Sequence, residues 1–206
     1  ELIGAIEPSE IMHMLTRHVL TTVAEQMRRW NERGEPLRVS VNVSVQDLHE
    51  QNFVAELHEL VREHDIPPRQ LVIEITERML ISDMDRVSQV ARELAQHGIG
   101  LSLDDFGTGY SSLSYIQRLP IRKIKLDRAF IADLPGNEKD IALVRAMVGM
   151  ANGLDLPVVA EGVETAAQRD FLRGVGCSEL QGYLISKPVP AEEMAAMLRQ
   201  SERRRR

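Results

Sequence analysis

Six short runs rich in Val, Ile and Leu alternate with amphipathic stretches along this chain, and a carboxylate, amide or ammonium side chain sits at or near the end of each run. The runs are Arg38–Val43, Leu71–Ile75, Gly100–Leu103, Ile121–Leu126, Pro157–Ala160 and a weaker one at Glu179–Leu184. Between them the apolar period changes from two to about 3.6, the pattern of successive βα units and a parallel sheet. The clearest helix is predicted over Asp83–His97, where Val87, Val90, Ala91, Leu94 and Ala95 share a face and Gly98 supplies the stop. A second is predicted over Gln46–His64, carrying Phe53, Val54, Leu57, Leu60 and Val61, with Ser44 and Asp47 spaced as a capping box. Thr165 and Gln168 repeat that spacing and start a helix just after Glu161-Gly162-Val163-Glu164. A length of 206 residues with 43% hydrophobic content suits one domain, read as 1–200, followed by a basic tail, 201–206, that ends in four arginines.

Active sites of parallel α/β folds collect at the carboxyl ends of their strands. Here those ends carry Asn42, then Glu74 and Glu77, Asp104 and Asp105, Lys125 and Asp127, Glu161 and Glu164, and Gln181. A polar residue inside a run such as Leu71-Val72-Ile73-Glu74-Ile75 is costly to bury without a partner. Taken singly, each is explained by a hydrogen bond or by solvent; six strands giving the same answer point to one convergent centre. The densest segment is Asp104-Asp105-Phe106-Gly107-Thr108-Gly109-Tyr110-Ser111-Ser112. Successive strand residues face opposite ways, so the strand from Gly100 is expected to end at the aspartate pair. Adjacent ionised carboxylates repel unless cations intervene; a solvated Asp-Asp turn is the plain alternative to a metal site.

The donor types suit Mg²⁺ or Mn²⁺, hard ions that take oxygen ligands. His13, His18, His49, His58, His64 and His97 all fall in predicted helices or at their ends, away from this set. Lone Cys177 gives neither an internal disulfide nor a cysteine zinc cluster, so a reducing, cytoplasmic setting is expected. No signal peptide or long apolar span is seen. A net charge of −6 argues against DNA or RNA polymers as partners. Metal-assisted hydrolysis is the simple chemistry that remains.

The segments Asn42-Val43-Ser44, Glu74-Ile75-Thr76-Glu77, Asp104 to Ser112, Lys125-Leu126-Asp127-Arg128, Glu161-Gly162-Val163-Glu164-Thr165 and Gln181-Gly182-Tyr183 resemble, in order and spacing, the EAL-domain cyclic-di-GMP phosphodiesterases. That resemblance implies an α/β fold, a modified TIM (β/α)8 barrel with one antiparallel strand, and metal-dependent hydrolysis of cyclic di-GMP to linear pGpG in bacterial signalling. It implies Asn42, Glu74, Asp104 and Asp105 as ligands of a two-metal site holding Mg²⁺ or Mn²⁺, with Asp127 supporting the second ion directly or through water. Lys125 resembles the lysine that orients the attacking water, Glu161 the general base or second-metal ligand, and Gln181 a hydrogen-bond partner near that water. Glu77 resembles the residue that steadies the loop from Phe106 to Ser112; Glu164 matches the motif as a supporting residue. A homodimer is implied, as are sensory or diguanylate cyclase domains, or a membrane anchor, in a longer parent chain. The family's Glu-Ala-Leu segment aligns upstream of Glu1-Leu2-Ile3, and six strands fall short of eight, so the expected barrel lacks its first strand or strands here. The alternative function is a non-catalytic cyclic-di-GMP receptor or interaction module.

Overall fold

The structure, a computed structural model, describes residues 10–109 and 116–205. Tyr110, Ser111 and Ser112 lie outside the described residues. Six strands form one sheet in sequential order: β1 (Val39–Asn42), β2 (Leu71–Thr76), β3 (Gly100–Phe106), β4 (Lys123–Leu126), β5 (Val158–Ala160) and β6 (Glu179–Leu180). Every pairing is parallel, which requires a crossover between each pair of strands, and the helices supply most of these crossovers. The result is an incomplete barrel with helices outside; no antiparallel strand occurs among the described residues.

Parity along the strands divides the sheet into two faces. Val41, Ile73, Ile75, Leu101, Leu103, Ile124, Leu126, Val158 and Ala160 point toward the helices and are at most 4% exposed. Their neighbours by one, including Ser40, Asn42, Glu74, Asp104, Lys123, Lys125, Glu161, Glu179 and Gln181, line a single cavity of about 510 Å³ on the other side. The barrel interior is therefore polar and open where such barrels usually carry packed branched aliphatics.

The outer layer runs from α1 (Glu10–Glu32) through α2 (Val45–His49), α3 (Phe53–Glu63), α4 (Glu77–Ser82), α5 (Met84–Gln96), α6 (Glu138–Gly153) and α7 (Ala166–Gly174) to α8 (Ala191–Arg205). In α5 the expected face is buried through Val87, Val90, Ala91 and Leu94; Asp83 caps its start by accepting from the Arg86 N–H, and Gly98 leaves it at φ +76°. Both predicted capping boxes form, Ser44 with Asp47 and Thr165 with Gln168.

Four expectations need correction. The helix over Gln46–His64 is two helices, because Glu50 adopts extended backbone; at this break the Arg86 guanidinium donates to the Leu48 and Glu50 carbonyls. The last strand stops at Leu180; the chain turns at Gly182, where a Cβ would lie 2.3 Å from both Val163 N and O. The basic run read as a tail is, through Arg205, the last turn of α8. Finally, β3 does not end at the aspartate pair but continues to Phe106.

Candidate metal centre

The continuation of β3 depends on a bulge. Between Leu103 and Phe106, three steps along β3 match two steps along β4, from Ile124 to Leu126, so β3 carries one extra residue. Asp105 absorbs it by taking φ +53°, a left-handed conformation that aspartate tolerates better than most residues. Strand alternation alone would aim Asp104 and Asp105 at opposite faces; with the bulge both line the cleft beside the lumen, Asp104 reaching the lumen as well.

Oxygens of Asp104, Asp105 and Glu161 all lie within 4.8 Å of one another. Beside them, the Lys125 ammonium donates to Glu74 at 2.8 Å and to Asp104 at 3.0 Å, and pairs with Glu161 at 2.8 Å. Glu74, Asp104 and Lys125 are nearly buried. Burial opposes the charge on Lys125, but hydrogen bonds to Glu161, Glu74 and Asp104 outweigh it and hold the ammonium well above its ordinary value. Burial raises the Glu161 carboxyl; Lys125 works against that, while Asp104 and Glu74 add to it. Asp105 is raised by burial and then by the charges of Asp104 and Asp127. Three carboxylates thus share one ammonium, and Asp105, against Asp104 and Asp127, adds further negative charge beside them; all are hard oxygen donors. That donor set fits divalent cations of the Mg²⁺ class, which would relieve the repulsion that lifts Asp105 and Glu161.

The remaining residues named from the sequence fall around this group. Asn42 shares both the lumen cavity and the larger adjoining cleft with Asp104, and Asp127 lines the cleft. Asp127 also accepts from the Ala129 N–H at 2.7 Å, which fixes its side chain at the end of β4. Gln181 faces the lumen, its backbone held by Gln181 N–H to Ala160 O and Val163 N–H to Gln181 O. Glu77 is 1% exposed and accepts from the Gly107 and Gly109 N–H groups at 2.9 and 3.0 Å, which ties α4 to the segment after the aspartates. Gly107, at φ +100°, has no room for a side chain, since a Cβ would meet Met147 and Phe130 at 2.8 Å. Glu164 stands apart, paired with Arg128 on the surface at 2.8 Å.

Several residues do more than the sequence indicated, and Lys123 and Glu179 were not singled out in it at all. Asp47 is more than half of a capping box: fully buried, it accepts from Ser44 N–H and Oγ–H and Thr16 Oγ–H and bonds His13 Nδ1, holding α1 against the turn that follows Asn42. Gln168 spans from the Glu164 and Thr165 N–H groups to the Ile131 and Ala132 carbonyls, joining the loops that follow β5 and β4. Lys123 and Glu179 pair at 2.9 Å two residues below Lys125 and Gln181, an offset of two along a strand that would have pointed to them from the sequence.

Against known proteins, the sequence model of the EAL domain matches residues 1–188. This chain belongs to the EAL domain family. Among curated EAL relatives, it is 39% identical over 199 residues to the cyclic di-GMP phosphodiesterase PA2567 of Pseudomonas aeruginosa, covering 97% of this chain and 34% of that protein. It is also 39% identical over 191 residues to the cyclic di-GMP phosphodiesterase PdeR of Escherichia coli, covering 93% of this chain and 29% of PdeR. The chain thus spans about a third of the length of these relatives. Among solved structures, the PaMucR phosphodiesterase in complex with c-di-GMP superposes with a TM-score of 0.89 at 37% identity, covering 93% of this chain and 78% of the other. The EAL domain of Mycobacterium smegmatis DcpA superposes with a TM-score of 0.87 at 34% identity, covering 93% and 86%.

Proposed function

We propose that this chain is the hydrolytic domain of a cyclic-di-GMP phosphodiesterase that opens cyclic di-GMP to linear pGpG. The observation that carries this reading is the Lys125 ammonium held between Glu74, Asp104 and Glu161, with the Asp105 carboxylate turned toward the same point by the β3 bulge. The names borne by the relatives supply the substrate; the geometry supplies the reason it would be cut here.

In this reading Asn42, Glu74, Asp104 and Asp105 hold Mg²⁺ or Mn²⁺, with Asp127 supporting a second ion. Bound there, the ions would supply positive charge to the phosphodiester and lower the pKa of a ligated water. Lys125 orients the attacking water and offsets charge building on the phosphate. Glu161, its proton affinity raised by burial, takes the water's proton as the new P–O bond forms and the ester P–O bond breaks, and the freed ester oxygen takes up a proton from solvent to leave a hydroxyl. Gln181 hydrogen-bonds beside that water, Glu77 keeps the Gly107–Gly109 segment in place, and Glu164 supports the start of α7 through Arg128. We extend the reading to a homodimer in a cytoplasmic setting, with sensory or cyclase domains elsewhere in a longer parent.

The test is cleavage of cyclic di-GMP with Mg²⁺ or Mn²⁺ and with chelator, by this chain and by an N-terminally extended version. Metal-dependent pGpG formation by either supports the reading. Binding without cleavage by both identifies a receptor instead. Glu161→Ala is expected to abolish turnover while ligand binding persists; full activity in that variant removes Glu161 from the chemistry.

A further inference from the structure

The larger cleft over the metal centre, about 1190 Å³, is lined by Asn42, Asp104, Asp105, Asp127 and Thr108, and among its described lining residues the one cation is Arg78. Arg78 is the second residue of α4, and its backbone is gripped from both sides. Glu77 before it is buried and bonded to two backbone N–H groups, and Met79 and Leu80 after it are 6% and 0% exposed. The side chain of Arg78 is nevertheless exposed, and it has no ion-pair partner among the described residues although three aspartates line the same cleft. Asp104 is taken by Lys125, and Asp127 by a backbone N–H.

A cyclic dinucleotide carries two phosphodiesters, and the carboxylate centre can act on only one at a time. The other is an anion that must rest in a cleft of the wrong sign. A guanidinium offers a planar fork that matches two phosphate oxygens, and its cost of ordering falls when the backbone beneath it is already rigid. We propose that Arg78 clamps the phosphodiester that is not being cut, and so sets the affinity for a doubly anionic cyclic dinucleotide over a mononucleotide. This rests on the phosphodiesterase reading above and adds to it a residue that binds substrate without touching the reacting atoms.

The experiment compares wild type, Arg78→Gln and Arg78→Lys for cyclic di-GMP binding by calorimetry with Ca²⁺, for steady-state cleavage with Mn²⁺, and for Mn²⁺ affinity alone. For Arg78→Gln, loss of a charge-assisted bidentate contact predicts about a 10- to 100-fold rise in Kd and KM. Because the clamp holds ground and transition states alike, kcat should stay within about threefold. Arg78→Lys should fall between the two, and Mn²⁺ affinity should be unchanged. Wild-type ligand affinity in Arg78→Gln overturns the proposal. So does tighter Mn²⁺ binding without loss of ligand affinity, which would make Arg78 a counter-charge to the aspartates. A wild-type chain that binds no cyclic di-GMP overturns the phosphodiesterase reading, and the clamp with it; wild-type binding that Arg78→Gln matches overturns the clamp alone.

Discussion

Replacing Lys125 by methionine keeps most of the aliphatic volume and removes the charge that three carboxylates share. The ammonium lies 2.8 to 3.0 Å from Glu74, Asp104 and Glu161, and none of these side chains is more than 19% exposed. Removing one member of a buried ion pair costs about 3–5 kcal/mol, because the partner is left charged and uncompensated. Glu161 keeps some contact with water, so the low end applies, about 3 kcal/mol. With a urea slope of about 2 kcal/mol/M, that is a fall of about 1.5 M in the unfolding midpoint. The assay is urea unfolding followed by circular dichroism at pH 7.5, in EDTA and again in millimolar Mg²⁺. The EDTA deficit should shrink in Mg²⁺, since the ion restores positive charge among the same oxygens. Adding Glu161→Gln to the Lys125→Met background should recover about 1 kcal/mol, a coupling expected of groups in contact. The sign with pH is fixed by the raised Lys125 value: its contribution is complete below the ordinary lysine value of 10.5 and is lost only as pH rises through the folded value. Near neutrality the ammonium is therefore fully charged in the folded state. A midpoint change below about 0.3 M in EDTA, or a deficit that ignores Mg²⁺, would refute the picture of carboxylates gathered against their own repulsion.

Glu77→Ala removes a carboxylate that accepts two backbone N–H groups; at about 1.5 kcal/mol each, the melting temperature should fall by about 6–12 °C in calorimetry. Gly182→Ala forces a Cβ to 2.3 Å from Val163 backbone atoms, so the turn after β6 must move; a loss above about 2 kcal/mol is expected in chemical unfolding, and a neutral result would mean the turn is slack. Asp105 and Glu161 have folded pKa values raised above their ordinary 3.8 and 4.5, so the metal-free chain should gain stability as pH falls through the folded values toward those figures. Mn²⁺ affinity should weaken over that same window, because protons and cations compete for the same oxygens; a titration at stepped pH checks both trends.

The alternation of β-branched runs and amphipathic helices made a parallel sheet and its polar face legible, because parallel strands need a crossover each and side chains alternate along a strand; the order of the strands came from the structure. The placement of Asn42, Glu74, Asp104, Lys125, Glu161 and Gln181 at strand ends on one face was legible for the same reason. The capping boxes at Ser44 and Thr165 were legible too, since they are local chemistry over four residues. What the sequence could not decide was register and packing. One extra residue in β3 turns Asp105 beside Asp104, an effect set by pairing with β4, many residues away. The break between α2 and α3 is met by the Arg86 guanidinium reaching two carbonyls from α5, and the single ammonium shared by three carboxylates exists only because four strands converge. Local propensity acts over a few residues and can be read along the chain, whereas charge sharing and strand register are contacts between distant residues and take shape only when the sheet closes around them.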